Sequence, residues 1–159
     1  MSATGRKGQK VPKDPLGRYQ TDDRVVESCL EALDAIVPQG LGGCTMLDAG
    51  CGQGAWTLGA LLLPPSARPG VILSVDKDLD ALATLGDQVK ALVDLSPPHG
   101  DSSVLLIPSD FLVDDLPDRP MVAVMNPPYH LAEAFIRRAL DLTPWVGALI
   151  RCMFLSNIG

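Results

Sequence analysis

A short apolar strand that leads directly into a glycine-rich turn is the feature that most constrains the fold of this chain. The strand is predicted at Thr45–Ala49, and Gly50, Gly52 and Gly54 follow at alternate positions. Glycine permits a tight turn and lets a ligand approach the backbone, because it has no Cβ atom. A helix predicted to begin near Ala55 would direct its unpaired N–H groups toward that ligand. The pattern is typical of a nucleotide-type binding loop, although many glycine-rich loops are only tight turns.

Four further apolar runs alternate with helical segments along the chain. Strands are predicted at Val71–Val75, Ser103–Ile107, Met121–Met125 and Val146 to about Phe154. Helices are predicted from Asp22 to about Ile36 and at Ala55–Leu63, Leu79–Leu95 and His130–Leu142. This alternation predicts a doubly wound, Rossmann-like α/β fold with a parallel sheet in the order 3-2-1-4-5.

The helix that precedes the first strand has one apolar face. Thr21 is predicted to cap its N-terminus, and Asp22 and Asp23 suit the positive end of its dipole. The residues predicted to form the apolar stripe are Val25, Val26, Cys29, Leu30, Leu33 and Ile36.

The tetrapeptide Asn126-Pro127-Pro128-Tyr129 directly follows the predicted fourth strand. Its prolines fix the backbone and remove two N–H donors, which leaves the Asn126 side-chain oxygen and the Pro127 carbonyl as acceptors that point the same way. Such a pair suits a planar amino group, because accepting both hydrogens directs the nitrogen lone pair for attack. Tyr129 offers a face for stacking the target. The alternative is an ordinary strand-ending turn, since Asn-Pro is a common turn dipeptide.

The predicted position of this tetrapeptide relative to the glycine turn supports a functional role for it. In a sheet ordered 3-2-1-4-5, the first and fourth strands are neighbours at the switch point where ligands bind. The two motifs are therefore expected to face one crevice.

Two aspartates end the second and third strands. Asp76 lies where nucleotide-binding folds use an acid to hold ribose hydroxyls, and the alternative is a solvated strand-end carboxylate. Asp110 could accept a hydrogen bond from an adenine amino group, with Phe111 against the ring face, or it could cap a turn. The residues alone leave these alternatives open.

The charges are unevenly distributed. Residues 1–18 contain five basic residues and one acidic residue, whereas the rest of the chain contains 8 basic and 18 acidic residues. The first segment is predicted to be a flexible basic arm, which is either a solvated tail or a contact for nucleic-acid phosphates. The acidic remainder does not suit a duplex-binding surface.

The cysteine and hydropathy patterns argue against several classes of protein. The four cysteines have no CxxC spacing and there are only two histidines, which argues against a zinc site and a disulfide framework. No apolar run approaches the roughly 20 residues that span a bilayer, and the N-terminus has no secretory h-region. We therefore expect a cytoplasmic protein with no membrane association and no bound metal.

Together these motifs resemble those of the class I S-adenosylmethionine-dependent methyltransferases that modify amino nitrogens through an (Asn/Asp/Ser)-Pro-Pro-(Tyr/Phe/Trp) motif. The chain is similar to adenine-N6 DNA methyltransferases and to short phage-type homologues over about residues 19–155. The resemblance implies S-adenosyl-L-methionine as the cofactor and nucleic acid, either DNA or RNA, as the substrate. It implies cofactor contacts from Tyr19, Thr21, Asp48, Ala49, Gly50, Cys51, Gly52, Gly54, Asp76, Lys77, Asp110, Phe111 and Asn126.

The resemblance also assigns parts of the cofactor to parts of the chain. The loop that matches Asp48–Gly54 would hold the methionine portion, Asp76 the ribose, and Asp110 the adenine. Tyr19 with Thr21 looks like the N-terminal Tyr-Pro-Thr-Pro segment of the family, although Gln and Asp replace its prolines here.

The catalytic motif implied by the resemblance is Asn126, Pro127, Pro128 and Tyr129, and the reaction is direct in-line transfer of methyl from sulfonium to nitrogen. No strong base is needed, because the amine becomes acidic only once it is methylated. His130, beside a helix start, is more often a cap or a surface residue than a proton acceptor.

The family sheet normally continues with two more strands, for which we expect no counterpart in this sequence. We expect an arm at 1–18 and a C-terminally short methyltransferase domain at 19–159. An exposed edge at the fifth strand would tend to pair with other strands, so we expect a second copy of this chain or a partner chain to cover it. Three alternatives remain: methylation of protein glutamine-N5 or RNA guanine-N2, a non-catalytic subunit of a larger assembly, and a nicotinamide oxidoreductase, which would leave the Asn126 motif unexplained.

Overall fold

The computed structural model describes residues 21–95 and 102–150. The α-helices in these ranges are α1 Asp23–Ile36, α2 Ala55–Leu61, α3 Leu79–Leu95 and α4 Ala132–Leu142. The strands are β1 Thr45–Ala49, β2 Val71–Asp76, β3 Ser103–Pro108, β4 Val122–Met125 and β5 Trp145–Ala148. Short 3-10 turns lie at Pro65–Ala67 and Tyr129–Leu131.

The five strands form one parallel sheet in the order β3-β2-β1-β4-β5. This confirms the predicted doubly wound, Rossmann-like α/β fold. In the centre of the sheet, Asp48 of β1 lies opposite Ser74 of β2 and Val124 of β4. The carboxyl ends of β1 and β4 are therefore neighbours, as the sequence predicts.

One face of the sheet is covered by α1, α2 and α3. The side of α1 that faces the sheet packs very closely: a Cβ on Gly59 of α2 would lie 2.5 Å from Val26 Cγ1, and one on Gly147 of β5 would lie 2.8 Å from Leu33 Cδ1. The buried core on this face includes Val26, Leu30, Leu33, Met46, Trp56, Ala60, Leu61, Ile72, Val122 and Val124.

The opposite face is covered by α4 and by the connection between β3 and β4, which contains no α-helix. Phe111 of this connection packs on Phe135 of α4 with their ring centroids 5.1 Å apart. Arg138 of α4 donates hydrogen bonds of 2.6 Å to the backbone carbonyls of Phe111 and Asp114. These contacts fasten the connection to α4.

The N-terminus of α1 differs from the prediction. Asp22, with extended backbone angles, is the N-cap, and its side chain accepts a 2.9 Å hydrogen bond from the backbone N–H of Arg24. The prediction that Thr21 caps this helix is therefore wrong, because the helix begins one residue later. The apolar stripe is also narrower than predicted, since Val25 and Ile36 are 41% and 58% exposed.

The ends of several other elements differ from the predicted bounds. Strand β5 ends at Ala148 and residues 149–150 are not in a strand, whereas a strand to about Phe154 was expected. Helix α4 begins at Ala132, after the 3-10 turn that contains His130. The predicted arm at 1–18 and the residues from 151 onward lie outside the described residues. Within the described ranges, no helix is long and apolar enough to cross a membrane.

Replacing Gly59 by alanine is expected to destabilise the fold by about 1–2 kcal/mol. The added methyl group would clash with Val26, which is buried and stiff about χ1, and this cost exceeds the roughly 1 kcal/mol of helix propensity that alanine supplies.

Gly86→Ala is the matched control within α3, because the only described neighbour of its Cβ would be the partly exposed Leu106 side chain, at 3.1 Å. We expect the stability of Gly86→Ala to be unchanged or raised by up to about 1 kcal/mol in urea unfolding. Equal effects of the two substitutions would contradict the close packing of α1 on α2.

Candidate functional site

The turn after β1 adopts a conformation that requires glycine. Gly50, Gly52 and Gly54 have φ angles of 68°, 52° and 82°, in the left-handed region that other residues rarely enter. A Cβ on Gly54 would lie 2.2 Å from Leu85 Cδ1, so this position is also closed by packing. A Cβ on Gly52, in contrast, would meet no atom of the described residues within 4 Å. Gly52 therefore leaves its backbone open to an approaching ligand.

Asp76, the last residue of β2, holds this turn in place. One carboxylate oxygen accepts a 2.8 Å hydrogen bond from the backbone N–H of Gly52, and the other accepts a 2.9 Å bond from that of Asp78. The backbone N–H groups of Gly50 and Cys51 donate to the carbonyl of Val75 at 2.8 and 2.9 Å. The turn is thus fastened to the end of β2.

A buried polar cluster lies beneath the turn. Asp48 Oδ2 accepts hydrogen bonds from the backbone N–H and the hydroxyl of Thr57 at 3.1 and 2.7 Å, and the Thr57 hydroxyl lies 2.7 Å from that of Ser74. All three side chains are fully buried, and Asp48 Oδ1 has no hydrogen-bond partner within residues 21–95 and 102–150. Burial raises the pKa of Asp48 to about 7, although the bonds from Thr57 oppose the rise. Asp48 therefore holds the start of α2 against the end of β1 through its two hydrogen bonds with Thr57.

Asn126, which follows β4, is joined to the segment before α1. Its side-chain Nδ2 donates a 2.9 Å hydrogen bond to the hydroxyl of Thr21. Pro127 is buried and Pro128 and Tyr129 are half-buried, with Tyr129 starting the 3-10 turn that leads into α4. The amide of Asn126 is thus held from a segment that is distant in sequence.

A cavity of about 710 Å³ lies where these elements meet. Its lining contains Thr21, Gly50, Cys51, Gly52, Gly54 and Asn126 from the predicted site residues. Among the other described residues that line it are Asp23, Trp56, Asp78, Asp80, Thr84 and Gln88. The described lining carries three aspartates and no basic residue. The cavity is therefore suited to a ligand that carries positive charge.

The other predicted cofactor residues that the structure describes do not line this cavity; they are Asp48, Ala49, Asp76, Lys77, Asp110 and Phe111. Asp48 and Ala49 are buried beneath it, and Tyr19 lies outside the described residues. Lys77 and Asp110 form an ion pair of 3.3 Å at the ends of β2 and β3. Asp110 also accepts a 3.0 Å hydrogen bond from the backbone N–H of Leu112, and this bond, with the ion pair, holds the pKa of Asp110 below its usual range.

Phe111 does not match its predicted position against an adenine ring. Its side chain is 2% exposed and lies in the core between Phe135 and Arg138. The residue after Asp110 is thus used for packing, because the absence of a helix between β3 and β4 leaves that face of the sheet to be covered by this connection.

Sequence reasoning did not identify several residues of the site. The partnership of Thr57 and Ser74 with Asp48 depends on how α2 packs on the sheet, although a hydroxyl in an apolar strand was an available signal for Ser74. Trp56 is buried at the cavity, and its indole Nε1 has no hydrogen-bond partner in the part of the chain that the structure describes. Asp78 lies at the N-terminus of α3, where it accepts from the N–H groups of Asp80 and Ala81.

No protein-family model matches the sequence, and no curated protein matches it. Solved structures do resemble it. One is a "putative RNA methyltransferase" from Pyrococcus horikoshii, 23% identical with a TM-score of 0.69 over 96% of this chain and 73% of that chain. An rRNA methylase from Streptococcus thermophilus is 16% identical, with a TM-score of 0.58 over 82% of this chain and 74% of that chain.

A third similar structure is TYW2 from M. jannaschii in complex with AdoMet, which is 14% identical with a TM-score of 0.54. The match covers 78% of this chain and 49% of that chain. At these levels of identity the likeness concerns the fold. The sheet and its order are those of methyltransferases that have a Rossmann-like fold.

Replacing Asp48 by asparagine is expected to flatten the dependence of stability on pH between about pH 4 and pH 7. The pKa of Asp48 is raised from 3.8 to about 7, so the folded protein retains a proton that the unfolded chain releases above pH 4. The stability that this proton contributes is fully present below about pH 4 and is lost as the pH rises to about 7, by at most about 1.4 kcal/mol per pH unit.

The measurement is the free energy of unfolding in urea, at a series of pH values, for the wild-type protein and for Asp48→Asn. The free energy of the wild-type protein should fall relative to that of Asp48→Asn as the pH rises through this range. Parallel curves would contradict a raised pKa at Asp48.

Proposed function

We propose that this protein is an S-adenosylmethionine-dependent N-methyltransferase that acts on an amino nitrogen of nucleic acid, with adenine N6 as the acceptor. The observation that carries the proposal is the meeting of two motifs at one cavity. Gly52 from the turn after β1 and Asn126 from the end of β4 both line it. A glycine turn alone would suit many nucleotides, but a nearby Asn-Pro-Pro-Tyr segment suits an amine acceptor.

The residues of the cavity fit this cofactor. S-adenosylmethionine carries a sulfonium and an ammonium group against one carboxylate, and the described lining contributes Asp23, Asp78 and Asp80. The open space above Gly52 gives the ligand access to the backbone. A dinucleotide with a pyrophosphate would meet this acidic lining with two negative charges, which disfavours the oxidoreductase alternative.

The neighbouring strand ends offer partners for the rest of the cofactor. Each carboxylate oxygen of Asp76 accepts one backbone hydrogen bond and can accept a second, so ribose hydroxyls could be held there. When bound, the cofactor supplies an electrophilic methyl group on its sulfonium. Because Phe111 is buried, we assign no ring-stacking role to it.

The acceptor amine would be held by the Asn126 motif. The Asn126 Oδ1 atom and the Pro127 carbonyl would each accept one hydrogen of the amine, which directs the nitrogen lone pair toward the methyl group. Tyr129 would stack on the base. The nitrogen–carbon bond forms as the sulfur–carbon bond breaks, the sulfur keeps the electron pair, and the nitrogen then releases a proton to water. Positioning and desolvation therefore account for most of the catalysis.

RNA is favoured as the substrate by the fold comparisons and by the charge of this chain. The structures that resemble this fold include proteins named as RNA and rRNA methyltransferases. Outside residues 1–18 the chain has 8 basic and 18 acidic residues, which does not suit a duplex-binding surface. We therefore favour an adenine in single-stranded or looped RNA, since a paired base would have to be flipped out to reach the cavity.

Calorimetric titration is expected to give binding of S-adenosylmethionine and no binding of NADH. Gly52→Ala should weaken the binding by at least about tenfold, because the added methyl group enters the space used by the ligand. Gly43→Ala is the matched control. Gly43 has a similar φ of 71°, and a Cβ added there would meet no described atom within 4 Å. It lies before β1 and does not line the cavity.

Both substitutions put alanine in the left-handed region, so both should lower stability by about 1–2 kcal/mol. Only Gly52→Ala should change the affinity. Equal affinities of the two variants, or binding of NADH, would contradict the proposed cofactor site.

Transfer of a labelled methyl group is expected with RNA oligonucleotides that contain adenine, and not with matched oligonucleotides in which purine replaces adenine. Asn126→Ala should reduce the rate by about 100-fold or more, because the amine is no longer oriented. DNA oligonucleotides and a peptide that contains glutamine are assayed in parallel, because they represent the alternative methyl acceptors. Methyl transfer to the peptide, or equal transfer to the purine oligonucleotide, would refute adenine N6 as the acceptor.

A further inference from the structure

We propose that binding of S-adenosylmethionine expels a proton from the buried carboxyl group of Asp48, so that a buried negative charge forms only when the cationic cofactor is present. This inference rests on the proposed function, in which the cofactor occupies the cavity above the glycine turn. Its basis is the position of Asp48, which is 0% exposed and lies two residues before Gly50, a residue that lines the cavity.

The two oxygens of the Asp48 carboxyl group have different surroundings. Oδ2 accepts both hydrogen bonds from Thr57, whereas Oδ1 has no hydrogen-bond partner among the described residues. A buried carboxylate is costly when one of its oxygens is left without a donor. In the free protein the proton is therefore held on Oδ1, where it displaces no hydrogen bond from Thr57.

The groups that surround Asp48 within the sheet do not compensate a negative charge there. On β2, the Asp76 carboxylate repels that charge, and Ser74 contributes only a hydroxyl to the buried cluster. On β4, the residue opposite Asp48 is Val124. The Cys51 thiol stays neutral, because burial and the two nearby aspartates raise its pKa.

The helices that border the cavity add further negative charge. Helix α1 contributes Asp23, α3 contributes Asp80 with Asp78 at its N-terminus, and α2 contains no ionisable side chain. The described lining contains no basic residue, and Lys77 is paired with Asp110 at 3.3 Å. The bound cofactor would thus supply the positive charge that the described part of the site lacks.

The direction of the coupling follows from these charges. A nearby cation favours the ionised form of a carboxyl group. Burial raises the pKa of Asp48 to about 7, so about half of the free molecules carry the proton at pH 7. The cofactor binds the ionised form more tightly, and the proton passes to the buffer. By reciprocity, the affinity is highest above pH 7 and falls as the pH decreases below it.

The first test counts the protons released when the cofactor binds. Calorimetric titration at pH 7, in two buffers that differ in their enthalpy of ionisation, gives this number. The wild-type protein should release about half a proton more per bound S-adenosylmethionine than Asp48→Asn, whose amide does not ionise. The difference between the two proteins cancels any proton exchanged by the cofactor's own amino group. Ser74→Ala is the matched control: it alters the same buried cluster but keeps the carboxyl group, and it should release as many protons as the wild-type protein.

The second test varies the pH and the charge of the ligand. The ratio of the wild-type affinity to that of Asp48→Asn should fall about fivefold between pH 8 and pH 6. S-adenosylhomocysteine has the same amino and carboxyl groups and a neutral sulfur, so it should release fewer protons from the wild-type protein. This last comparison needs no substituted chain and therefore decides the question even if Asp48→Asn does not fold.

The outcomes separate this inference from the proposed function. Proton release that requires both Asp48 and the sulfonium charge supports the coupling. Equal release by the wild-type protein and Asp48→Asn, or by the wild-type protein with the two ligands, would overturn the coupling and leave the proposed cofactor intact. If none of the folded chains bound S-adenosylmethionine, the proposed function would fail, and the coupling would fail with it.

Discussion

The parallel pairing of β1 with β4 is the constraint on which the candidate site depends. Asp48 lies opposite Val124, so the turn that begins at Gly50 and the motif that begins at Asn126 leave the sheet side by side. Both strands are buried on their two faces, and a shift of one residue would turn Asp48 toward the wrong face of the sheet. The register of β1 against β4 is therefore strongly specified. Core packing thus fixes the position of the glycine turn relative to the Asn126 motif.

Carboxylates at the strand ends then give the turn its shape before any ligand binds. Asp76 accepts the backbone N–H of Gly52, and Asp48 accepts the N–H and hydroxyl groups of Thr57 at the start of α2. Three left-handed glycines at alternate positions lose much conformational entropy on folding, and these hydrogen bonds help to offset that loss. One consequence is a buried carboxyl group whose pKa is raised by desolvation, which makes the support of α2 sensitive to pH. A preorganised turn needs less ordering when its ligand arrives.

The sequence was sufficient to predict the order of the strands and the meeting of the glycine turn with Asn126, because both follow from the alternation of strands and helices. Details that depend on tertiary contacts were not predictable. Thr21 and Asp22 are both good caps, and the choice between them depends on where α1 begins. Phe111 follows a strand end as a stacking residue would, but its packing partner Phe135 comes from a distant helix. The link from Ser74 to Thr57 likewise depends on how α2 lies on the sheet.

The spacing of β1 and β4 in the sheet also bears on how the proposed reaction would bring its two reactants together. Neighbouring strands in a sheet lie about 4.8 Å apart, so the distance between the turn after β1 and the motif after β4 is set by the sheet itself. Reacting atoms must come within about 3.5 Å with their orbitals aligned. The sheet spacing places the glycine turn and the Asn126 motif side by side, and the remaining requirement of the proposed reaction is the orientation of the amine. In the proposed reaction that orientation depends on which end of the Asn126 amide faces the cavity.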